Sequence, residues 1–182
     1  MKNKFLCIAL LLLFSDLCNA SGLNVTYAPY AKVNGDKDEG GLFPDNYDEY
    51  NLDRGVAASV ELNLGEGNHW YVEYTVTDVD ESEVKFPEDQ YSSLVVGLRQ
   101  EDQHQINNTL SSYVGMSLGV GAARFNLQSE KYRALGEMKV DAGVIINQSV
   151  VVGPGIKFQI VGYPTETMAK ATFVYFRVGY KF

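Results

Sequence analysis

The feature that most constrains this chain is an alternation of apolar and polar residues with a period of two. It is clearest in the last ten residues, FVYFRVGYKF, where Val174, Phe176, Val178, Tyr180 and Phe182 share one side. Side chains alternate between the two faces of a β-strand, whereas an α-helix repeats every ~3.6 residues. The sequence therefore predicts strands rather than helices.

Eight stretches carry this pattern, and turn-rich segments separate them. The predicted strands are 24–33, 55–64, 69–77, 91–101, 110–124, 134–146, 149–161 and 170–182. The connections alternate in length, and the long ones are 34–54, 78–90, 125–133 and 162–169. Eight strands in one domain predict an all-β, antiparallel up-and-down barrel, because closure pairs the last strand with the first and removes both edges.

Two prolines lie inside predicted strands. Pro29 and Pro154 each lack a backbone N–H, and a closed barrel has no free edge to tolerate that loss. We therefore expect a bulge or a local break in the ladder at each proline. In the first strand, the odd positions from Val25 to Val33 are expected on the apolar face.

The first twenty residues have the pattern of a secretory signal peptide. Two lysines precede an apolar run over 5–14, and the small residue Ala20 ends the segment. The run is too short to span a bilayer, so we expect residues 1–20 to be cleaved and 21–182 to form the barrel domain.

Outside this leader the chain is acidic and lacks cysteine. Removing the leader's two lysines and one aspartate from 15 basic and 23 acidic residues leaves 13 and 22, a net charge of −9. A charge of this sign argues against nucleic acid as a partner. Cys7 and Cys18 both lie in the leader, so the mature domain has no disulfide and no thiol nucleophile.

The two faces of the predicted strands differ in charge. The apolar face carries no Asp, Glu, Lys or Arg, whereas the opposite face carries charges and many small residues. The charge network predicted on that opposite face consists of Lys32, Glu61, Glu73, Arg99, Glu101, Glu137, Lys139, Asp141, Lys157 and Arg177, and Lys181 lies on the same face.

The small residues indicate which face points inward. Glycine weakens a solvent-facing strand, whereas inside a narrow barrel small residues leave room for Arg and Glu side chains. A charge on a lipid-facing surface costs roughly 2–4 kcal/mol near the bilayer midplane. Trp70, Tyr180 and Phe182 gather at one rim, as an interfacial girdle requires. We therefore predict a transmembrane barrel, and the alternative is a soluble periplasmic lipocalin-like barrel that binds an apolar ligand inside.

The C-terminal residues resemble those of a known class. Phe176, Val178, Tyr180 and Phe182 are similar to the C-terminal assembly signature of bacterial outer-membrane barrels. The stretches SYVGMSLGVGAARF and AGVIINQSVVVGPGIKF resemble the small eight-stranded family around the OmpA transmembrane domain and the Ail/OmpX group. This resemblance implies a Gram-negative outer membrane, periplasmic termini and long connections outside the cell.

The same resemblance implies the partners of the chain. They are outer-membrane lipid and lipopolysaccharide around the barrel, and the barrel assembly machinery that recognises the C-terminal signature. We expect a monomer.

The inward charges have two interpretations. One is a path for ions or small solutes, and the other is a plug of paired charges in a barrel too narrow for a continuous channel. The plug is the favoured interpretation.

The acidic residues concentrate in two long connections. Residues 34–54 hold seven acidic residues and 78–90 hold six, so these segments are expected to contact a host or envelope protein. Four of them, Asp78, Asp80, Glu81 and Glu83, alternate as ligands of a weak cation site can, but they lack the glycine and spacing of an EF-hand. A solvated acidic loop is the better interpretation, and no metal or cofactor is firmly predicted.

Catalytic residues are scarce. The two histidines, His69 and His104, both fall near short predicted turns, away from the long connections. We predict no enzymatic activity and a structural or surface-interaction role in adhesion or at the envelope; the alternative is a narrow channel for ions or small solutes.

Overall fold

The protein folds into one closed sheet. The computed structural model describes residues 21–34, 49–79, 90–125, 132–162 and 169–182. Its strands are β1 (Gly22–Asn34), β2 (Glu49–Gly65), β3 (Asn68–Val79), β4 (Gln90–Gln105), β5 (Leu110–Phe125), β6 (Arg133–Ile146), β7 (Val150–Val161) and β8 (Ala169–Lys181). Each strand is antiparallel to its neighbours along the chain, and β8 also pairs with β1. The predicted eight-stranded up-and-down barrel is confirmed.

One end of the barrel is formed by short turns and by both ends of the described chain. The turns are 66–67, 106–109 and 147–149. Asn147 and Gln148 adopt left-handed φ angles of 51° and 60°, which is the backbone of a tight hairpin turn. Nearby, the N–H of Phe182 donates to the carbonyl of Ser21 at 3.1 Å. This end is called the short-turn end.

The opposite end, called the long-connection end, carries the other four connections. Most of their residues lie outside the described part of the chain, at 35–48, 80–89, 126–131 and 163–168. The expected signal peptide at 1–20 also lies outside it, so its cleavage stays a prediction. None of the described residues forms a helix long and apolar enough to cross a membrane.

Two strands extend furthest beyond their predicted bounds. β2 begins at Glu49 instead of 55, and β4 continues to Gln105 instead of 101. The prediction that 102–105 belong to a turn is therefore wrong, and His104 lies exposed on a strand. Both extensions are rich in polar residues, so they lack the apolar alternation from which a strand is predicted.

The strands are staggered around the barrel. The stagger is measured by following paired residues from strand to strand once around the barrel. The path starts at Gly22 on β1 and returns to β1 at Val33. It passes through Glu61, Tyr71, Gly97, Gly119, Glu137, Gln159 and Ala171. The displacement is 33 − 22 = 11 residues, of which one is the extra residue of a bulge, so the shear is ten. A stagger of this kind accompanies strands that are tilted by roughly 35–45° from the barrel axis.

The bulge in β1 lies at Pro29, as expected. Tyr27 pairs with Phe176 and Tyr30 with Val174, so Ala28 and Pro29 together oppose one residue of β8. The extra residue reverses the side of every later residue in the strand. Ala31 is consequently buried at 1% exposure, and the expectation that the odd positions of β1 stay on the apolar face is wrong beyond the bulge.

Pro154 disturbs its strand without a bulge. The pairing of β7 with β8 continues through Pro154 without any shift of register. On the other side, the β6–β7 pairs stop at Asp141–Gly155 and resume at Val144–Val152 in the same register. The ladder is therefore interrupted locally where the proline lacks a donor, which is the break expected from the sequence.

The outward face forms an uninterrupted apolar belt. Its exposed large side chains include Val25, Tyr27, Val56, Trp70, Val72, Leu94, Val96, Leu98, Met116, Leu118, Val120, Met138, Val140, Ile156, Phe158, Ile160, Val174, Phe176 and Val178. The alternate positions point into the barrel and are buried, and many of them are charged. This arrangement contradicts the soluble lipocalin-like alternative, since the interior of the described barrel holds charges where an apolar ligand would sit.

Two inward-facing glycines make room for large side chains. A Cβ on Gly115 would lie 2.6 Å from Cζ of Arg99, and a Cβ on Gly155 would lie 2.6 Å from the hydroxyl oxygen of Tyr175. Both distances are far below van der Waals contact, so any side chain there would displace its neighbour. By contrast, a Cβ on the outward-facing Gly136 would meet nothing within 4 Å.

We expect Gly155→Val to impair the barrel, because the new side chain overlaps the buried ring of Tyr175. Overpacking of this kind costs roughly 1–3 kcal/mol. The measurement is the fraction of refolded protein that migrates as a compact form on unheated SDS gels, followed by the urea midpoint.

The matched control is Gly136→Val on the adjacent strand, which should refold as the wild type does. Equal behaviour of the two variants would contradict the tight interior packing described above.

Candidate functional site: the charged interior of the barrel

The described interior holds a set of ion pairs with equal numbers of opposite charges. Ten inward-facing ionisable side chains form ion pairs there, five acidic and five basic: Glu61, Glu73, Glu101, Glu137, Asp141, Arg99, Lys139, Lys157, Arg177 and Lys181. Their formal charges sum to zero. Because an unpaired ion is very costly inside a protein, this balance allows the barrel to be filled with charge.

Asp141 is the centre of the larger cluster. Arg99 donates to both of its oxygens at 2.7 Å, which is the strong bidentate geometry of a guanidinium and a carboxylate. Arg177 approaches the same carboxylate at 3.3 Å, and the hydroxyl of Tyr175 donates to it at 3.1 Å. One carboxylate thus contacts two buried guanidinium groups.

Ion pairs join strands that do not pair with each other. Arg177 on β8 donates to Glu61 on β2 at 2.8 Å, and Glu61 lies 3.6 Å from Arg99 on β4. Together with Asp141 on β6, these residues connect alternate strands around the barrel. The cluster therefore braces the wall across the interior, where no backbone hydrogen bond reaches.

A carboxylate extends this cluster toward the short-turn end. Glu101 accepts from Arg99 at 3.0 Å and from the amide of Gln103 at 2.8 Å. Lys181, the last residue of β8, also donates to Glu101. The cluster is thereby tied to the C-terminal strand next to the chain end.

A second cluster lies nearer the long-connection end. Glu73 accepts from Lys139 at 2.8 Å and from Lys157 at 3.2 Å, and Lys157 also donates to the hydroxyl of Thr75 at 2.8 Å. Here one carboxylate of β3 compensates two lysines on β6 and β7.

Glu137 completes the second cluster. It accepts from the hydroxyl of Tyr71 at 3.0 Å and from the amide of Gln159 at 2.6 Å, and Nζ of Lys139 lies 3.5 Å away. The amide of Gln159 is itself oriented by Tyr91 and Ser93. Neutral hydrogen-bond donors thus supplement the charges.

Aromatic rings line the cations. Nζ of Lys139 lies 3.9 Å from the ring centroid of Tyr71, and Nζ of Lys157 lies 4.5 Å from that of Phe173. Such cation–π contacts favour a charge that has lost its water. They also fill space that water would otherwise occupy.

Apolar side chains cover the charges on the side of the long-connection end. Tyr91, Val95, Leu135, Val161 and Phe173 belong to one buried cluster, and the rings of Tyr91 and Phe173 lie 6.0 Å apart. A smaller cluster of Tyr113, Ile145 and Val151 lies toward the short-turn end. The charged layers are therefore enclosed between two less polar layers.

Lys32 is not a member of the described network. Because of the bulge at Pro29, it pairs with Thr172, which in turn pairs with the outward-facing Phe158. The sequence-based placement of Lys32 in the lumen is wrong for this reason.

The other nine predicted network residues lie inside the barrel and are brought together in the two clusters. The prediction omitted Lys181, although it occupies the same face, and the polar residues Asn24, Tyr71, Thr75, Gln159 and Tyr175. All but Asn24 and Thr75 are large side chains at odd positions of their strands. The alternation of side chains along each strand predicts that they point inward. It does not predict which partner each side chain contacts.

The predicted cation site lies almost entirely outside the described residues. Asp80, Glu81 and Glu83 fall there, and the side chain of Asp78 does as well. Among the side chains that the structure describes, no group of three or more acidic, histidine or cysteine residues could hold a metal. The weak cation site stays a prediction.

The C-terminal signature residues form a row on the outward face. Phe176, Val178, Tyr180 and Phe182 are all exposed, and the rings of the last two meet edge to face at 5.4 Å. His69 is buried at the start of β3, and His104 is exposed at the end of β4. Both histidines lie near the short-turn end, as the sequence indicates.

Comparison with known structures places this fold among small outer-membrane barrels. Neisserial surface protein A shares 15% identity, with a TM-score of 0.59, over 88% of this chain and 96% of its own. Ail of Yersinia pestis has a TM-score of 0.41 and 16% identity, over 90% of this chain and 99% of its own. The N-terminal barrel of Pseudomonas aeruginosa OprF has a TM-score of 0.42 and 10% identity, over 90% of this chain and 98% of its own. Neither a protein-family model nor a curated protein sequence matches the chain.

The chain thus has the closed eight-stranded fold of an outer-membrane barrel such as Neisserial surface protein A. At such low identity the likeness defines the architecture alone, and the resemblance in fold predicted from the sequence is confirmed.

We expect Asp141→Asn to destabilise the barrel by about 3–5 kcal/mol, because it removes one of the three carboxylates that balance Arg99, Arg177 and Lys181 and so leaves a net positive charge buried. The measurement is the urea unfolding midpoint of the protein in lipid vesicles, followed by the fluorescence of Trp70, the single tryptophan of the chain.

Asp102→Asn is the matched control, since Asp102 is exposed near the short-turn end of the same barrel. Its effect should stay within about 0.5 kcal/mol. A small effect of Asp141→Asn, comparable with that of the control, would contradict the central role of Asp141.

Proposed function

We propose that this chain is an integral outer-membrane β-barrel protein without enzymatic activity, with a structural or surface-interaction role at the cell envelope. The observation that carries the proposal is the uncharged apolar belt on the outside of a barrel whose interior holds buried ion pairs. In water such a surface would aggregate, whereas in a bilayer it is solvated by acyl chains.

The closed interior supports a non-catalytic role. Ten of the ionisable groups described inside the barrel are engaged in ion pairs, and buried apolar clusters lie on both sides of them. A catalytic group needs access to substrate, and these groups have none in this arrangement. The histidines lie at the short-turn end, away from the connections that the resemblance places outside the cell.

We assign the surface interactions to the long connections. The segments 34–54 and 78–90 hold thirteen acidic residues between them, seven and six, and their strands open at one end of the barrel. We propose that these segments contact a host or envelope protein, while the rigid barrel holds them in the membrane as a monomer. Loops on a rigid scaffold are a common location for binding functions.

Fractionation tests the membrane location. We expect the protein in the outer-membrane fraction, with a gel mobility that shifts on boiling, because a closed barrel keeps its ladder hydrogen bonds in SDS until heated. Recovery in the soluble periplasmic fraction without such a shift would refute the proposal.

A narrow channel is the second candidate, since charged side chains line the middle of the interior. The described packing favours a plug, because the pairs Arg99–Asp141 and Lys139–Glu73 bridge the lumen. We expect no single-channel events in planar bilayers, and we expect Arg177→Ala to lower the urea midpoint without producing conductance. Steady conductance of the wild type would support the channel instead.

A further inference from the structure

One hairpin projects beyond its neighbour at the short-turn end. β3 begins at Asn68, which pairs with Gln100, whereas β4 continues to Gln105. On its other side, β4 keeps its pairing with β5 over all of these residues. The segment 102–105 therefore has a paired strand on the β5 side and none among the described residues on the β3 side. This free side of 102–105 is called the open edge of β4.

The backbone groups that face the open edge belong to Gln103 and Gln105. In an antiparallel ladder, the N–H and C=O of one residue point to one neighbouring strand, and those of the next residue point to the other. The N–H of Glu101 donates to the carbonyl of Gly67 at 2.8 Å, so the odd residues at this end of β4 point to the β3 side. Gln103 and Gln105 therefore direct two N–H and two C=O groups to a side on which no described strand follows.

The projecting hairpin is held in place, so the open edge is preformed. Oδ1 of Asn107 accepts from the N–H groups of Thr109 and Leu110 at 2.9 Å each. Leu110 also pairs with Ile146, so β5 is supported by β6 as far as its first residue. A strand that already has its extended shape loses little conformational entropy when it binds a partner.

The open edge lacks the usual protection of an exposed strand. Edge strands are often blunted by proline, lysine or a bulge. The segment 102–105, DQHQ, contains neither residue, and its register with β5 is unbroken. At the end of β2, by contrast, the side chain of Asn63 accepts from the N–H of Gly65 at 2.7 Å. The amide groups of Gln103 and Gln105 bond elsewhere, so they leave the edge uncapped.

The charges around the open edge indicate what an added strand would carry. Asp102 is exposed on the outward face, and Glu66 is exposed in the neighbouring turn. The segments 63–68 and 102–109, which surround the edge, contain no lysine or arginine. Opposite charges on directly facing residues stabilise an antiparallel pair. A segment with a basic residue opposite Asp102 therefore fits this edge.

We propose that the open edge of β4 binds an extended peptide segment of another envelope protein. The segment adds to the sheet as a strand antiparallel to β4 and places a basic residue opposite Asp102. Hydrogen bonds to Gln103 and Gln105 supply the affinity, and the facing side chains supply the specificity. That this partner lies in the periplasm rests on the membrane location proposed above, whereas the edge itself follows from the register of β3, β4 and β5.

The probe is the end-blocked peptide TVTKT, whose lysine faces Asp102 when its third residue faces Gln103. Amide hydrogen exchange of the refolded protein is followed by NMR in detergent micelles. Without peptide, we expect Gln103 and Gln105 to exchange faster than Asp102 and His104, whose N–H groups point to β5. With peptide at ten times its Kd, their exchange should slow about tenfold, because only about a tenth of the protein remains free. No slowing at about 10 mM peptide, ten times the Kd of a weak complex of about 1 mM, would overturn the proposal.

Modified peptides test the geometry of the added strand. An N-methyl group on the third residue, whose N–H would donate to Gln103, should abolish the slowing. The same group on the fourth residue, whose N–H points away from β4, should preserve it. Replacing the lysine of the peptide by glutamate should weaken binding roughly threefold, and Asp102→Lys should reverse this preference. Equal loss with both N-methyl peptides would overturn the strand-addition geometry.

A pair of protein variants separates the backbone of the edge from its side chains. Gln103→Pro removes the N–H that faces the open edge and leaves the ladder with β5 intact. It should abolish the slowing at Gln105, whereas the control Gln103→Ala, which keeps the N–H, should still bind. Both variants should keep the gel shift on boiling. Equal binding by the two variants would overturn the proposal.

The outcomes separate this proposal from the membrane location on which it rests. Fractionation tests the location without any peptide. A protein with the gel shift on boiling that does not bind the peptide refutes the open-edge site alone. Slow exchange of Gln103 and Gln105 before any peptide is added would show that the edge is already covered, for example by a second copy of the chain, and would also overturn the site.

Discussion

The barrel depends on the compensation of charge in an interior from which water is largely excluded. Asp141 holds Arg99 and Arg177, and Glu73 holds two lysines, so that each buried ion is close to an opposite charge. Removing one partner of such a pair is strongly destabilising because the other remains buried. The apolar side chains face outward as a consequence, since the alternate positions of each strand already contain the charged groups.

This organisation inverts that of a soluble barrel. In a soluble protein the apolar face packs into a core, whereas here it forms a belt on the outside and the core is a network of ion pairs and hydrogen bonds. The ion pairs connect β2, β4, β6 and β8 across the lumen, and the backbone ladders connect each strand to its neighbours. The two sets of interactions together account for a rigid wall that can hold long acidic connections at one end.

The sequence predicted the faces well because side-chain parity is a local property. Arg99, Asp141 and Arg177 occupy the inward positions that alternation requires, and inward glycines such as Gly115 leave room for them. The prediction for Lys32 is wrong because one extra residue at Pro29 reverses the alternation of the two faces. A proline in the sequence does not by itself indicate whether the strand forms a bulge or only loses hydrogen bonds. Pro154 illustrates this, since its strand keeps its register.

The sequence could not predict which side chains pair inside the barrel, for a different reason. Which carboxylate meets which cation depends on the shear of the barrel and on the length of each side chain, and both are set by the closed sheet as a whole. Likewise, the extensions of β2 and β4 have no apolar face from which a strand is predicted.

The most direct test of this account is to determine what surrounds the outward face. The chain outside residues 1–20 has no cysteine, so nitroxide labels can be attached through Val72→Cys, Leu98→Cys, Leu118→Cys and Val140→Cys, with Glu66→Cys in a turn as the aqueous control. In lipid vesicles, the account predicts that all four strand labels collide with oxygen far more often than with a water-soluble nickel complex, and that the turn label shows the reverse. Strand labels that are accessible to the nickel complex, or shielded from both reagents, would contradict a barrel whose apolar face meets lipid.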